Sequence, residues 1–129
     1  MRALKINVET KTITEVVLSE DFRDISREIG NGCEYFCIPY SFANDDSLYA
    51  DDESLLRRND IKGGFMLSEE WSYPIVGNAI ILGTDEEGNS IDCKTTIEEF
   101  KDIIWVSKEA SIDWAETALV NKPIIWGFK

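Results

Sequence analysis

The chain has no histidine. This removes the usual general base, the Ser-His-Asp and Cys-His arrangements of nucleophilic catalysis, and every metal site that depends on imidazole. Its three cysteines, Cys33, Cys37 and Cys93, have no zinc-like spacing. Cys33 and Cys37 would lie about 13 Å apart on an extended strand. They read as reduced structural thiols. There is no Walker A sequence and no GxGxxG. The segment Gly83 to Gly88 carries Asp85, Glu86 and Glu87, and these acids would repel a phosphate, so it reads as a hairpin turn. The sequence thus points to a protein that is not an enzyme and holds no cofactor.

Carboxylates are the remaining chemical resource, and they fall in two clusters. The first is Asp45 and Asp46 followed by Asp51, Asp52 and Glu53, on either side of a short strand, and no base occurs between Arg27 and Arg57. The second is Asp85, Glu86 and Glu87, with no base between Lys62 and Lys94. Grouped carboxylates can bind Ca²⁺ or Mg²⁺, but the spacing here is not that of an EF-hand. A pair of them could also serve glycoside hydrolysis, although the chain is short for building a sugar-sized cleft. Spread along one face, such carboxylates can imitate the phosphates of a duplex and occupy a basic channel. Any one cluster taken singly is most simply a solvated turn. The expected partner is therefore a basic protein surface, with a small-ligand or divalent-metal module as the alternative. No metal ligand set is assigned.

Aromatic residues offer a second kind of contact. Trp71 and Tyr73 flank a loop before Pro74 and are the better candidates for a contact surface. Trp105, Trp114, Trp126 and Phe128 fall at spacings more typical of packing. Arg57-Arg58 is expected to cap or pair with the neighbouring acids.

At 129 residues the chain suits one domain that buries its own core. It is 43% hydrophobic, which places it among globular rather than disordered chains. With 25 acids against 13 bases the formal net charge is -12. That balance repels nucleic acid and anionic lipid and favours a basic partner. The start, Met1 to Asn7, has no apolar segment of the signal-peptide kind, and no segment reaches the length of a membrane span. The expected location is cytoplasmic.

The elements that must position these residues follow from periodicity. Leu4, Ile6 and Val8 alternate with polar residues, and Ile13 to Leu18 is β-branched, so the two predict a hairpin. Ser19 is the expected N-cap of a helix carrying Phe22, Ile25 and Ile29 on one face and stopped by Gly30. Cys33 to Tyr40 reads as a strand ending near Pro39, paired with Leu48 to Ala50 across a turn at 44–47. Phe65 to Leu67 fits either a helical turn or an edge segment. Pro74 to Cys93 reads as the central hairpin, with an unbroken apolar run from Ile75 to Leu82. Thr95 or Thr96 with Glu98 or Glu99 forms a capping box for a second helix bearing Ile97, Phe100, Ile103 and Ile104. Residues 107–120 predict a third helix with Ala110, Trp114 and Ala118 along one side. Asn121-Lys-Pro123 should break it, leaving Ile124 to Trp126 as a terminal strand or docked tail. The fold expected is α+β: one domain over 1–129, mostly antiparallel sheet of about five or six strands packed by two or three helices.

Several of these stretches also resemble an uncharacterised family of small acidic proteins from bacterial phages, plasmids and other mobile elements. The similarity lies in Ala3-Leu-Lys-Ile-Asn7 and the hairpin running into a short helix that ends in glycine. It continues in Leu48-Tyr-Ala-Asp-Asp-Glu53, in Leu55-Leu-Arg-Arg-Asn59 and in the run from Ile75 to Gly88. It covers roughly residues 1–104 and leaves the C-terminal helix and tail, 105–129, outside. No catalytic residue is carried over. The resemblance implies a cytoplasmic accessory protein of a mobile element, one candidate role being action on host machinery.

Overall fold

The structure, a computed structural model, describes residues 1–30 and 32–126, with 119–126 as backbone alone. In chain order it contains β1 (Arg2–Asn7), β2 (Thr12–Val17), α1 (Arg23–Ile29), β3 (Phe36–Ser41) and β4 (Asp46–Asp51). Then come β5 (Gly64–Met66), β6 (Ile75–Val76), β7 (Ala79–Thr84), β8 (Ser90–Ile91), β9 (Ile104–Val106) and α2 (Lys108–Trp126). Six strands form one antiparallel sheet in the order β2-β1-β7-β4-β3, with β8 paired to the end of β7. Three more form a second sheet, β6-β5-β9. The molecule is an α+β domain.

The β1–β2 hairpin has the expected alternation and a regular register from Arg2↔Val17 to Asn7↔Thr12. Its turn is fixed by Asn7, whose Oδ1 accepts the Glu9 and Thr10 amides, each at 3.1 Å. β7 is central, flanked by β1 and β4, and its Ala79–Leu82 side chains are fully buried. The two faces of the sheet carry separate apolar layers. Leu4, Ile6, Leu48 and Ile81 pack with Phe65 and Phe100 on one face, whereas Tyr49, Ile80 and Leu82 pack with Ile25 and Ile29 of α1 on the other.

The apolar run at 75–82 is not one strand. Gly77 adopts a φ of 98°, which only glycine reaches without strain. Asn78 then ties the chain across the sheet, accepting the Val8 amide at 2.9 Å and donating to the Ile29 carbonyl at 3.1 Å. Ile75–Val76 leaves the main sheet at this jog and pairs with β5. Gly64–Met66 supplies the middle strand of the second sheet, so Phe65 and Met66 lie in neither a helical turn nor an edge, and Leu67 falls just beyond the strand.

Other expectations are also corrected. Ser19 is not the N-cap: it donates from its amide and its hydroxyl to Asp24, at 3.0 and 2.6 Å, and α1 begins only after a turn. Phe22 is exposed at that N-terminus. β3 runs through Pro39 to Ser41, which an edge strand with a register shift between Cys37 and Tyr40 accommodates. Thr96 and Glu99 do form the capping box, but it opens a single 3-10 turn, Ile97–Phe100. The β-branched residues beyond it pair with β5 as β9 instead of continuing a helix.

Among the described side chains of α2, Ser111 and Ala115 are buried and Ala110 is exposed. α2 continues past Pro123 to Trp126, so the expected break and terminal strand are absent there. Proline costs a helix one backbone hydrogen bond and a ring clash but does not forbid it. Phe128 and the side chain of Trp126 lie outside the described residues. Among the described residues no helix is long and apolar enough to cross a membrane.

Candidate functional site

β4 separates the members of the first acidic cluster by its own length, about 17 Å. At its start, Asp45 sits in a turn with φ 72° and is exposed. Asp46 is fully buried. Its carboxylate accepts the Lys94 amide at 2.9 Å, the Thr95 amide at 2.7 Å and the Thr95 hydroxyl at 2.5 Å. Desolvation of such a group is offset only by donors of this kind. Asp46 therefore joins two segments of the fold and is not a surface charge.

At the far end of β4, Asp51 is 8% exposed. It accepts the Glu53 amide at 2.9 Å and pairs with the Arg57 guanidinium. Glu53 also approaches Arg57, at 3.7 Å. Arg58 reaches Glu116 at 3.5 Å. The expected pairing of Arg57-Arg58 with nearby acids thus holds for Arg57, and Arg58 turns instead to α2. In this half of the cluster Asp52 is exposed.

The second cluster lies in the β7–β8 turn. Asp85 accepts the Glu87 amide at 2.9 Å and the Asn89 amide at 2.8 Å, and Asn89 Nδ2 donates to it at 3.3 Å. The Asn89 amide above all holds its carboxyl below the ordinary value of 3.8. Gly88 closes the turn with φ 87°. Glu86 and Glu87 are left exposed.

Antiparallel pairing of β4 with β7, with Asp46 opposite Gly83, sets the 42–46 turn beside the 85–89 turn. Asp45, Asp85 and Glu86 consequently line one shallow groove, with Ser47, Thr84 and Lys94 between them. Lys94 donates to the Asn44 carbonyl at 3.1 Å. The fold thus unites Asp45 with the second cluster. It separates both from Asp52 and Glu53, and it removes Asp46 and Asp51 from the surface.

Trp71 and Tyr73 do come together, in a trough with Pro39, Tyr40, Ser72 and Ile75. Trp71 is half-buried against Tyr40, ring centroids 5.3 Å apart. Tyr73 is 60% exposed and lies flat on Trp114, at 5.7 Å with 6° between the planes. Trp105 packs on the core of the main sheet. Sequence reasoning missed Tyr40 and Lys94. Tyr40 could have been suspected from its place beside Pro39, since a proline within a strand points to a sheet edge, whereas no local signal marks Lys94.

Among the described residues no three Asp, Glu or Cys side chains gather closely enough to hold a metal ion. Burial pushes the Cys33 thiol up to about 11, with Asp51 adding to it, and burial raises Cys37 and Cys93 as well. These thiols are poor nucleophiles near neutrality. No protein-family model, no curated protein and no solved structure matches the chain.

Proposed function

We propose that the chain is a non-catalytic interaction protein that docks a basic protein surface against the acidic end of its six-stranded sheet. The observation that carries this reading is the meeting of Asp45 with Asp85 and Glu86 around one groove, although the two turns lie 40 residues apart. A net charge of -12 steers a basic partner toward that end and repels nucleic acid itself. In its sharpest form the proposal is a phage or plasmid protein whose carboxylates stand in for nucleic-acid phosphates and inhibit the partner. A rigid frame suits this role: Asp46 and the Asp85 turn fix both loops through main-chain donors.

The test is affinity capture from bacterial lysate at low and high salt, with the wild type and an Asp45→Asn, Glu86→Gln, Glu87→Gln variant. These positions are exposed, and Asp85 is retained because it builds its turn. The expected result is a basic nucleic-acid-handling protein held by the wild type, released as salt screens the contact, and not held by the variant. Recovery of the same proteins by both chains overturns the proposal.

A further inference from the structure

The aromatic trough is a second surface, separate from the acidic groove. It lies where the β3 edge of the large sheet meets the loop before β6. Its lining is Pro39, Tyr40, Trp71, Ser72, Tyr73 and Ile75, and none of these carries a charge. The rings are supported from behind. Tyr40 meets Phe42 edge-on at 4.9 Å, and Phe42 meets the buried Phe100 edge-on at 6.2 Å. Trp71 and Tyr40 meet at 44°, so the pair opens as a wedge and neither ring covers the other. Trp114 covers one face of Tyr73, yet Tyr73 stays 60% exposed, which leaves its other face to the trough. Three rings are thus in place before a ligand arrives, which lowers the ordering cost of binding.

The chemistry of this lining selects its ligand. An anion finds no basic group there. A lysine or arginine head would give up water around its N–H donors and meet no carboxylate in exchange. A trimethylammonium group has no N–H to satisfy, and its charge is spread over methyl surface that packs on rings. The negative faces of Trp and Tyr attract such a cation, Trp most strongly. A net charge of -12 adds a field that gathers cations around the molecule. Size agrees. The trough offers about 200 Å³. A cavity of about 150 Å³ accepts benzene, and sites for whole drug-sized ligands begin at roughly 300 Å³. The space therefore suits one compact head group.

We infer that the Tyr40–Trp71–Tyr73 trough binds a trimethylammonium head group against its ring faces. Free choline-type molecules and trimethylated lysine side chains both carry this group, and the test separates the two sources. The site does not rest on the acidic groove, and either can fail without the other.

The experiment is NMR titration of the ¹⁵N-labelled chain with choline and, in parallel, with its uncharged isostere, in which tert-butyl replaces trimethylammonium. The expected shifts centre on Tyr40 and Trp71 to Tyr73. The choline methyl signal should move upfield, as it does over a ring face and not beside a ring edge. The isostere should bind about tenfold more weakly. A peptide with one trimethyl-lysine is compared with the same peptide carrying plain lysine, which should leave the trough unmoved. Tighter binding of the trimethylated peptide than of choline assigns the group to a modified protein, and equal or weaker binding assigns it to a free molecule. Tyr73→Leu keeps apolar area but removes a ring, and should weaken choline binding about fivefold while sparing the isostere. Ser72→Lys places a positive charge at an exposed lining position and should abolish choline binding alone. The Asp45→Asn, Glu86→Gln, Glu87→Gln variant should still bind choline in the trough. Equal binding of the isostere or of the plain-lysine peptide would overturn the inference. So would a methyl signal that stays or moves downfield, shifts centred on residues 42–47 and 84–87, unchanged affinity in Tyr73→Leu and Ser72→Lys, or no shifts at all.

Discussion

The two ends of β4 carry carboxylates that look alike in sequence and are both buried, yet they are satisfied in different ways. Asp46 is held by two main-chain amides and a hydroxyl from Lys94 and Thr95, a segment 48 and 49 residues away. Asp51 is held by Glu53 and Arg57, within six residues of itself. The first arrangement closes the fold over a long loop through fixed neutral donors. The second is a local pair whose guanidinium is partly open to water, at 22% exposure. A buried acid can therefore be a joint between distant segments or a local clasp. The two should differ in what happens when a partner is removed.

The largest effect is expected at Asp46. Asp46→Ala leaves three buried donors without an acceptor and should cost about 3–5 kcal/mol, since each donor left unmade carries its own penalty. Asp46→Asn keeps one oxygen for the Thr95 donors and should cost roughly half as much. Urea unfolding of the two variants checks this, and equal losses would show that one remaining oxygen in a side chain of the same shape does not satisfy these donors.

A smaller effect is expected at the other end. Arg57→Met should cost about 2 kcal/mol, below the usual value for breaking a buried pair because water reaches the site. Adding Asp51→Asn should recover part of that loss. A double-mutant cycle measures the coupling, and additive losses would mean that the pair contributes nothing as a pair.

The smallest effect on stability is expected at Asp85, whose carboxylate orders an exposed turn. A group with a lowered folded-state value contributes above its ordinary value and loses that contribution as pH falls through the lowered one. Its carboxyl should therefore titrate below 3.8 by NMR, with the Asn89 amide moving in step. Asp85→Asn should leave the thermal midpoint nearly unchanged and loosen the 85–89 turn. An ordinary titration midpoint would remove the turn's main support.

Much of the local structure was legible. Alternation at Leu4, Ile6 and Val8 marks the first hairpin, Gly30 marks the end of α1, and Thr96 with Glu99 marks a capping box. Each of these rests on neighbours within a few residues. The misreadings share a cause. Ile104 fits a helical face as well as a strand, and only the presence of β5 alongside decides for the strand. The break at Gly77 was hidden because an apolar run looks the same whether it serves one sheet or two. Of the candidate site, Trp71 and Tyr73 were visible as loop aromatics, but their platforms Tyr40 and Trp114 come from other elements.

The sequence by itself determined the charge balance, the absence of any histidine chemistry, the α+β class and the short-range turns, because these depend on composition and on contacts within a turn or a hairpin. Tertiary structure alone decided which acids face water. Asp45 and Asp46 are adjacent in the chain, but one is exposed beside Asp85 and the other is sealed against Thr95. Burial of a carboxylate is settled by which distant segment brings it donors, and no local pattern records that choice.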